Sequence, residues 1–311
     1  MNEVVTIQDL LNEKADCQAR LNLMPYDGSP EIKNQGNKQY LYVRKRVAGK
    51  LTSKYVDVYS DELYQLLLRN ARDSKNLNKR IRQIEKELAN LGYQKLDVSD
   101  RVLMNLDFAR ANMKSNIYDQ AVLEGVGTSF PQTEEIINNG IVNGVKATDV
   151  QKILNLKHAW EFILDKDVIL SPTNFFMISH IAKLVNEGFY IDGGRVRGVP
   201  VTIGGSHYVP PIPIETVVVE NIEKILTSKK EPIDIAIDLC LYCMKTQIFI
   251  DGNKRASVIF ANQYLIASGQ RFLVIPEKEV PEFKQLLVKY YEGEEAHIIK
   301  RFLKKKCWKN F

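Results

Sequence analysis

The chain has 311 residues, 45% of them hydrophobic and 26% charged, which is the balance of a soluble globular protein. A net charge of +5 is too modest at this length to single out nucleic acid as a partner, and no apolar run is long enough to span a membrane. Four cysteines are too few for a disulfide framework, and the opening Met1-Asn2-Glu3-Val4-Val5 lacks the basic-then-apolar pattern of a signal peptide, so the expected location is cytoplasmic.

Up to about Asn37 the chain predicts a short helix around Val5, Leu10 and Leu11, then a loop through Pro25, Gly28 and Pro30. Two aromatic and β-branched runs come next, Tyr40-Leu41-Tyr42-Val43 and Tyr55-Val56-Asp57-Val58-Tyr59, separated by Ala48-Gly49-Lys50 as a turn. That pattern predicts a β-hairpin. It carries Lys38, Arg44, Lys45, Arg46, Lys50 and Lys54, with no acidic residue until Asp57. Basic side chains interleaved with tyrosines suit a nucleic-acid backbone and its bases, whereas lysines also protect a solvated strand edge, and both readings stay open.

From Asp61 to Leu91 the spacing predicts one long helix or a helical pair, with Leu77, Ile81, Ile84, Leu88 and Leu91 on a seam that needs an apolar partner. The same chain is the expected partner, because the repeat covers only about two heptads. Gly92 ends the helix. Further helices are predicted over Arg101 to Gly125, Asp149 to Leu164 and Thr173 to Glu187, with His158 and His180 expected as structural residues. Gly193 to Pro211 alternates and is rich in glycine, which predicts a hairpin. Cys240-x-x-Cys243 has a zinc or redox spacing, but both lie in an apolar helical run and no second ligand pair occurs, so core packing is expected. A short strand near Phe272, helices over Pro281 to Tyr291 and Glu294 to Leu303, and a solvated basic tail from Lys304 complete the chain.

Between two apolar helices lies Gln247-Ile248-Phe249-Ile250-Asp251-Gly252-Asn253-Lys254-Arg255. Gly252 permits a tight turn, Asp251 or Asn253 suits a helix cap, and a new helix is expected to begin near Lys254 and to be buried all round. Unpaired amides at such a start, with Lys254 and Arg255 in the first turn, suit phosphate oxygens. An ordinary capped corner fits the same residues.

The stretch resembles the Fic signature, His-x-Phe-x-(Asp/Glu)-Gly-Asn-(Gly/Lys)-Arg-x-x-Arg, with Phe249, Asp251, Gly252, Asn253, Lys254 and Arg255 in register. Gln247 stands where the family has its catalytic His, and Val258 where many members have a second Arg. Glu124-Gly125 resembles the inhibitory helix motif (Ser/Thr)-x-x-x-Glu-(Gly/Asn) of many relatives, with Gln120 in place of Ser/Thr. In relatives that Glu pairs with the last signature Arg, so Val258 implies that the usual pair is lost. Thr128 to Glu134 also resembles the segment next to this helix in relatives. The 193–211 excursion resembles the Fic flap, which implies target docking along Ile203, Gly204, Gly205, Ser206, His207 and Tyr208.

The resemblance implies a mainly α fold, a Fic-type helical core with a β-hairpin flap over residues 101–311, after an N-terminal α+β extension over residues 1–100. It implies ATP and Mg²⁺, with Asp251 as metal ligand, Phe249 as a packed anchor of the turn, and Gly252, Asn253, Lys254 and Arg255 on phosphates. The implied reaction moves AMP from ATP to a hydroxyl of a target protein, by a monomer or homodimer. At the catalytic position, however, the Gln247 carboxamide cannot accept a proton at neutral pH. Three readings stay open: a Fic-like adenylyltransferase of weak activity, a phosphotransferase like the Doc branch, whose Asn-Lys-Arg the chain shares at Asn253-Lys254-Arg255, and a catalytically silent binding module.

Overall fold

A computed structural model of the chain describes residues 6–24, 26, 28–47, 50–94, 97–140 and 142–309. The chain divides into two compact units, Met1–Lys95 and Leu96–Phe311.

In the first unit, α1 (Ile7–Leu23) starts from a Thr6 capping box with Asp9. Three strands come after it, β1 (Ser29–Gln35), β2 (Lys38–Val47) and β3 (Lys50–Val58), in an antiparallel sheet of order β1-β2-β3. The expected hairpin is β2 and β3, with Tyr42 opposite Tyr55 and Val43 opposite Lys54. Of its expected turn, Ala48 and Gly49 lie outside the described residues, as do Val5 and Pro25 near the N-terminus. The expected loop through Pro30 is instead β1, and Pro30 pairs with Val43. Proline is tolerated there because β1 is an edge strand, where a missing ladder donor costs nothing in the sheet interior.

The unit closes with α2 (Asp61–Asn90), one unbroken helix capped by Ser60, after which Gly92 turns the chain at φ +72°. Its Ile84 and Leu88 pack against Leu10 and Leu11 of α1, so the seam finds its partner in the same chain. Leu91, expected on that seam, is exposed. Arg80 joins the two helices by a two-pronged pair with Glu13 at 2.6 and 2.7 Å. Nearer the start of α2, Leu67 packs on Leu41 and Val43, which covers one face of the sheet.

The second unit is helical. Its elements in order are α3 (Asp100–Leu123), α4 (Phe130–Asn139), α5 (Ala147–Ile163), α6 (Lys166–Ile169), α7 (Phe175–Val185), α8 (Glu215–Leu226), α9 (Pro232–Thr246) and α10 (Asn253–Ala267). After them come β4 (Phe272–Leu273), α11 (Val280–Tyr291), α12 (Ala296–Lys306) and β5 (Trp308–Lys309). Sequence periodicity does not mark α4, α6 or α8. The helix α10 is central: every residue but Lys254, Tyr264 and Ala267 is buried, against α3, α5, α7 and α9. Two of its buried carboxamides are matched. Asn262 exchanges bonds with both the amide and the carbonyl of Leu273, and Gln263 accepts from Thr173.

One expectation fails in this unit and another holds only in part. No strand forms between residues 193 and 211; the excursion is an irregular loop with a tight turn at Ile203 to Ser206, closed by the Ser206 amide on the Ile203 carbonyl at 3.2 Å. The basic tail is solvated only in part: Lys304, Lys305 and Lys306 are exposed, but the chain beyond them is packed. Lys304 pairs with Asp234, and Lys306 with Glu279 and Glu282; Cys307 is fully buried, and β5 pairs antiparallel with β4. Burial pushes the Cys307 thiol up to about 12 and raises Cys240 and Cys243 well above the ordinary thiol range, so all three behave as core side chains. Among the described residues no group of three or more His, Cys, Asp or Glu is arranged to hold a metal ion.

Candidate functional site

The turn between α9 and α10 is shaped by two residues with positive φ. Gln247 closes α9 at φ +48°, ψ +61°, and Gly252 opens α10 at φ +72°. Only glycine fits at 252, because a Cβ there would meet Asn186 Oδ1 at 2.7 Å and Val185 Cγ2 at 3.0 Å. Ile248 and Phe249 between them are buried and anchor the loop.

Neither Asp251 nor Asn253 caps α10; no side chain bonds the amides at its start. The Asn253 carboxamide reaches backwards instead. Its Oδ1 accepts from the Phe249 amide at 2.9 Å, and its Nδ2 donates to the Phe249 carbonyl at 2.8 Å and to Gln247 Oε1 at 3.1 Å. Gln247 Nε2 in turn donates to the Met244 carbonyl at 2.6 Å. Thus Gln247 is held at both ends of its carboxamide, and the helix amides stay available to an anion.

Lys254 is about a third exposed, while Arg255 is buried to 1%. The Arg255 guanidinium donates to the Val185 carbonyl at 2.8 Å and to Asp251 Oδ2 at 3.0 Å. Facing both cations is Glu124, at the end of α3 where Gly125 turns at φ +76°. Its Oε1 lies 3.6 Å from Lys254 Nζ and its Oε2 3.5 Å from Arg255 Nε. The ion pair expected to be lost therefore forms with other partners. Val258 points elsewhere, into the core beside Leu123 and Met244. Glu124 Oε1 and Arg255 Nε are buried and make no hydrogen bond, so the pair is electrostatic with unused hydrogen-bonding capacity at its centre. Gln120, in the Ser/Thr position, links the helices: it donates to the Arg255 carbonyl at 2.8 Å and accepts from the Trp160 indole at 3.1 Å.

Sequence reasoning missed two residues that assemble the site. Asn186, fully buried, donates to the carbonyls of Asp251 and Gly193 at 2.9 and 3.0 Å. Arg197, 4% exposed, donates to the Gln247 carbonyl at 2.6 Å, to Val199 at 2.7 Å, and to Pro210 and Pro211 at 3.2 and 2.6 Å. One guanidinium thus pins both feet of the 198–211 loop to the turn. Burial without a carboxylate partner pushes its pKa below the usual guanidinium range. The close Gly193-Gly194 contact was the available signal: a Cβ at Gly193 would overlap Asn186 at 2.4 Å.

The loop tip sits apart from this pin. Glu292 accepts from Ser206 Oγ at 3.0 Å and from the His207 amide at 2.8 Å. Tyr208 stacks near Tyr291, with ring centroids 6.2 Å apart. Gly204 and Gly205 have open space where a Cβ would stand. His158, buried, bonds Glu187, and His180, half-buried, packs on Phe162.

Residues 174–265 match the model of the Fic/DOC family, and residues 5–65 match a family described as a domain of unknown function (DUF6788). Protein adenylyltransferase Fic of Drosophila willistoni is 26% identical over 220 residues, covering 68% of this chain and 44% of the fly protein. Its counterpart in Drosophila grimshawi is 25% identical over 186 residues, covering 58% and 38%. The chain thus spans less than half the length of these relatives. Among solved structures, Fic-1 from C. elegans superposes with a TM-score of 0.52 at 19% identity, over 79% of this chain and 74% of that one. A Fic family protein from Desulfovibrio desulfuricans gives 0.52 at 14%, over 68% and 73%. These likenesses establish a shared helical fold.

Proposed function

We propose, from the premise that this chain belongs to the Fic/DOC family, that its second unit binds ATP at the α9–α10 turn and transfers AMP to a hydroxyl of a target protein, with turnover held low by Gln247. The observation that carries this reading is the start of α10. Its amides have no side-chain cap, Lys254 stands at its edge, and the Glu124 carboxylate lies 3.6 Å from the Lys254 ammonium. Phosphate oxygens are the natural occupants of such a helix start. Asp251 is 46% exposed beside it and is the carboxylate to which a nucleotide-held Mg²⁺ would bind. One carboxylate is enough for that ion, which keeps several waters and takes its other ligands from phosphates. Bound there, it would neutralise charge on the phosphate oxygens.

In the transfer a target hydroxyl attacks the α-phosphorus, pyrophosphate leaves, and the hydroxyl proton must go to an acceptor. Gln247 offers only a carboxamide oxygen, already engaged by Asn253. Loss of a general base typically costs about 10²–10⁴-fold, so binding persists where turnover is slow. The 198–211 loop, pinned by Arg197, is the surface along which an extended target segment would lie.

The test pairs binding with label transfer. ATP with Mg²⁺ is expected to raise the melting temperature at millimolar nucleotide, and Lys254→Ala to shrink the shift. Label from α-phosphate should appear on protein; label from γ-phosphate alone would show phosphate transfer and overturn the reading. No nucleotide-dependent shift would remove the site assignment altogether.

A further inference from the structure

The sheet of the first unit has one face packed on α2 and one face that, among the described residues of the unit, no element covers. On β2, Leu41 and Val43 point to the helix, so alternation sends Lys38, Tyr40, Tyr42, Arg44 and Arg46 to the other side. The register adds Tyr55 to that side, opposite Tyr42. The three rings form a cluster: Tyr55 stands 5.5 Å from Tyr42 and 6.2 Å from Tyr40, and its side chain is open to solvent.

The irregularity between Leu41 and Tyr42 brings this about. An extra residue on β3 swings Tyr55 between the two β2 rings, a re-aiming of side chains that bulges commonly produce. Tyr55 is exposed and Tyr40 and Tyr42 are half-buried, so part of each side chain is left accessible, and an aromatic patch rimmed by polar residues marks an interaction site. The charge beside it says what kind of ligand binds there. Residues 29–58 hold seven lysines and arginines against Glu31 and Asp57. Glu31, the acid on the open face, is already satisfied by Ser53 Oγ at 3.0 Å and by Lys33 at 3.7 Å. Lys33 itself sits 4.2 Å over the Tyr42 ring. Arg44, Arg46 and Lys38 have no carboxylate within ion-pair reach among the described residues.

We infer that this face is a binding site for single-stranded nucleic acid, with Arg44, Arg46 and Lys38 along the sugar-phosphate backbone and the Tyr40, Tyr42 and Tyr55 rings under the bases. Stacking platforms flanked by cations hold single strands without reading sequence, because every base has a π-face and every linkage a charge. An acidic peptide would use the cations and leave the rings idle. A duplex hides its base faces and cannot stack. The site is independent of the nucleotide reading of the second unit and stands or falls without it.

The experiment uses the full chain and fluorescent fifteen-nucleotide oligo-dT and oligo-rU, with polarisation monitored from 50 to 300 mM salt. Binding is expected for both, weakening steeply with salt. The double variant Arg44→Ser/Arg46→Ser should weaken it at least tenfold and flatten the salt dependence, by about 0.7 in slope per lost phosphate contact. Tyr55→Ser should cost on the order of tenfold with the slope unchanged, which separates stacking from charge. Both substitutions are at exposed positions, and unaltered thermal melting of the variants confirms that the sheet is intact. Absence of binding overturns the inference. So does indifference to Tyr55→Ser, equal affinity for duplex, or binding to anionic phosphatidylserine vesicles and not to oligonucleotides.

Discussion

The carboxylate of Glu124 and the guanidinium of Arg255 meet at the junction of α3 and α10, Oε2 to Nε at 3.5 Å, with Lys254 Nζ on the other oxygen at 3.6 Å. The negative charge there stands on the cations that a phosphate would use. Neutralising it with Glu124→Gln should therefore tighten ATP binding on the order of tenfold, from removal of a like charge several ångströms from the phosphates at intermediate dielectric. Isothermal titration reads this directly. An unchanged dissociation constant would show that nucleotide and Glu124 do not share a site.

Arg255 is a poorer probe than its exposure-blind motif position implies. It is buried to 1% and holds the Val185 carbonyl and Asp251, so Arg255→Ala should cost about 3–5 kcal/mol of stability as well as any binding. Chemical denaturation should show the loss without nucleotide present, whereas Lys254→Ala should leave the midpoint almost unmoved.

Gln247→His should raise AMP transfer about a hundredfold, because imidazole restores a proton acceptor that titrates near neutrality. The backbone favours the exchange: φ is +48° at this position, and His is among the residues enriched in that region. Quantified α-labelled product on protein checks it, and equal rates for both proteins would dismiss general-base loss as the limit. Adding Val258→Arg should not help. Val258 is 4% exposed within the core, and an unpaired charge there should lower the melting temperature by roughly 6–12 °C, the equivalent of about 3 kcal/mol in a unit of this size.

The loop tip should respond to acid. The His207 amide and the Ser206 hydroxyl hold the Glu292 carboxyl below its ordinary value of 4.5. A lowered folded value means that the latch contributes above 4.5 and is lost as pH falls through the folded pKa. The His207 amide resonance should move with that titration, and Glu292→Ala should show the released position already at neutral pH. An identical titration in both proteins would mean that the latch is not what the amide senses.

The parts legible in the sequence are those whose signal is local. Gly252 between two apolar helices announces the turn, and apolar residues on all sides of 258–266 announce a buried helix. The β1 strand is hidden by Pro30, a turn signal everywhere except at a sheet edge. In the 193–211 loop, glycine and alternation predict a ladder, but the carbonyls of Val199, Pro210 and Pro211 go to the Arg197 side chain. Asn186 and Arg197 carry no pattern at all, because their partners are carbonyls distant in sequence. The Glu124 pair escapes for a related reason: helix phase puts Val258 in the core and Arg255 toward α3, which a linear motif does not display.

The β4–β5 pair sets a clock on folding. Lys309 donates to Ser115 and Asn116 on α3, and the Val274 amide bonds the Cys307 carbonyl. Contacts spanning 193 and 194 residues cannot form until Lys309 itself has been made. At ordinary translation speeds α3 emerges roughly 10–40 s before the strand that completes its packing. During that interval Asn116 and the apolar side of α3 are left without their final neighbours. A nascent chain stalled before Lys309 should accordingly be the form of this protein most in need of a chaperone.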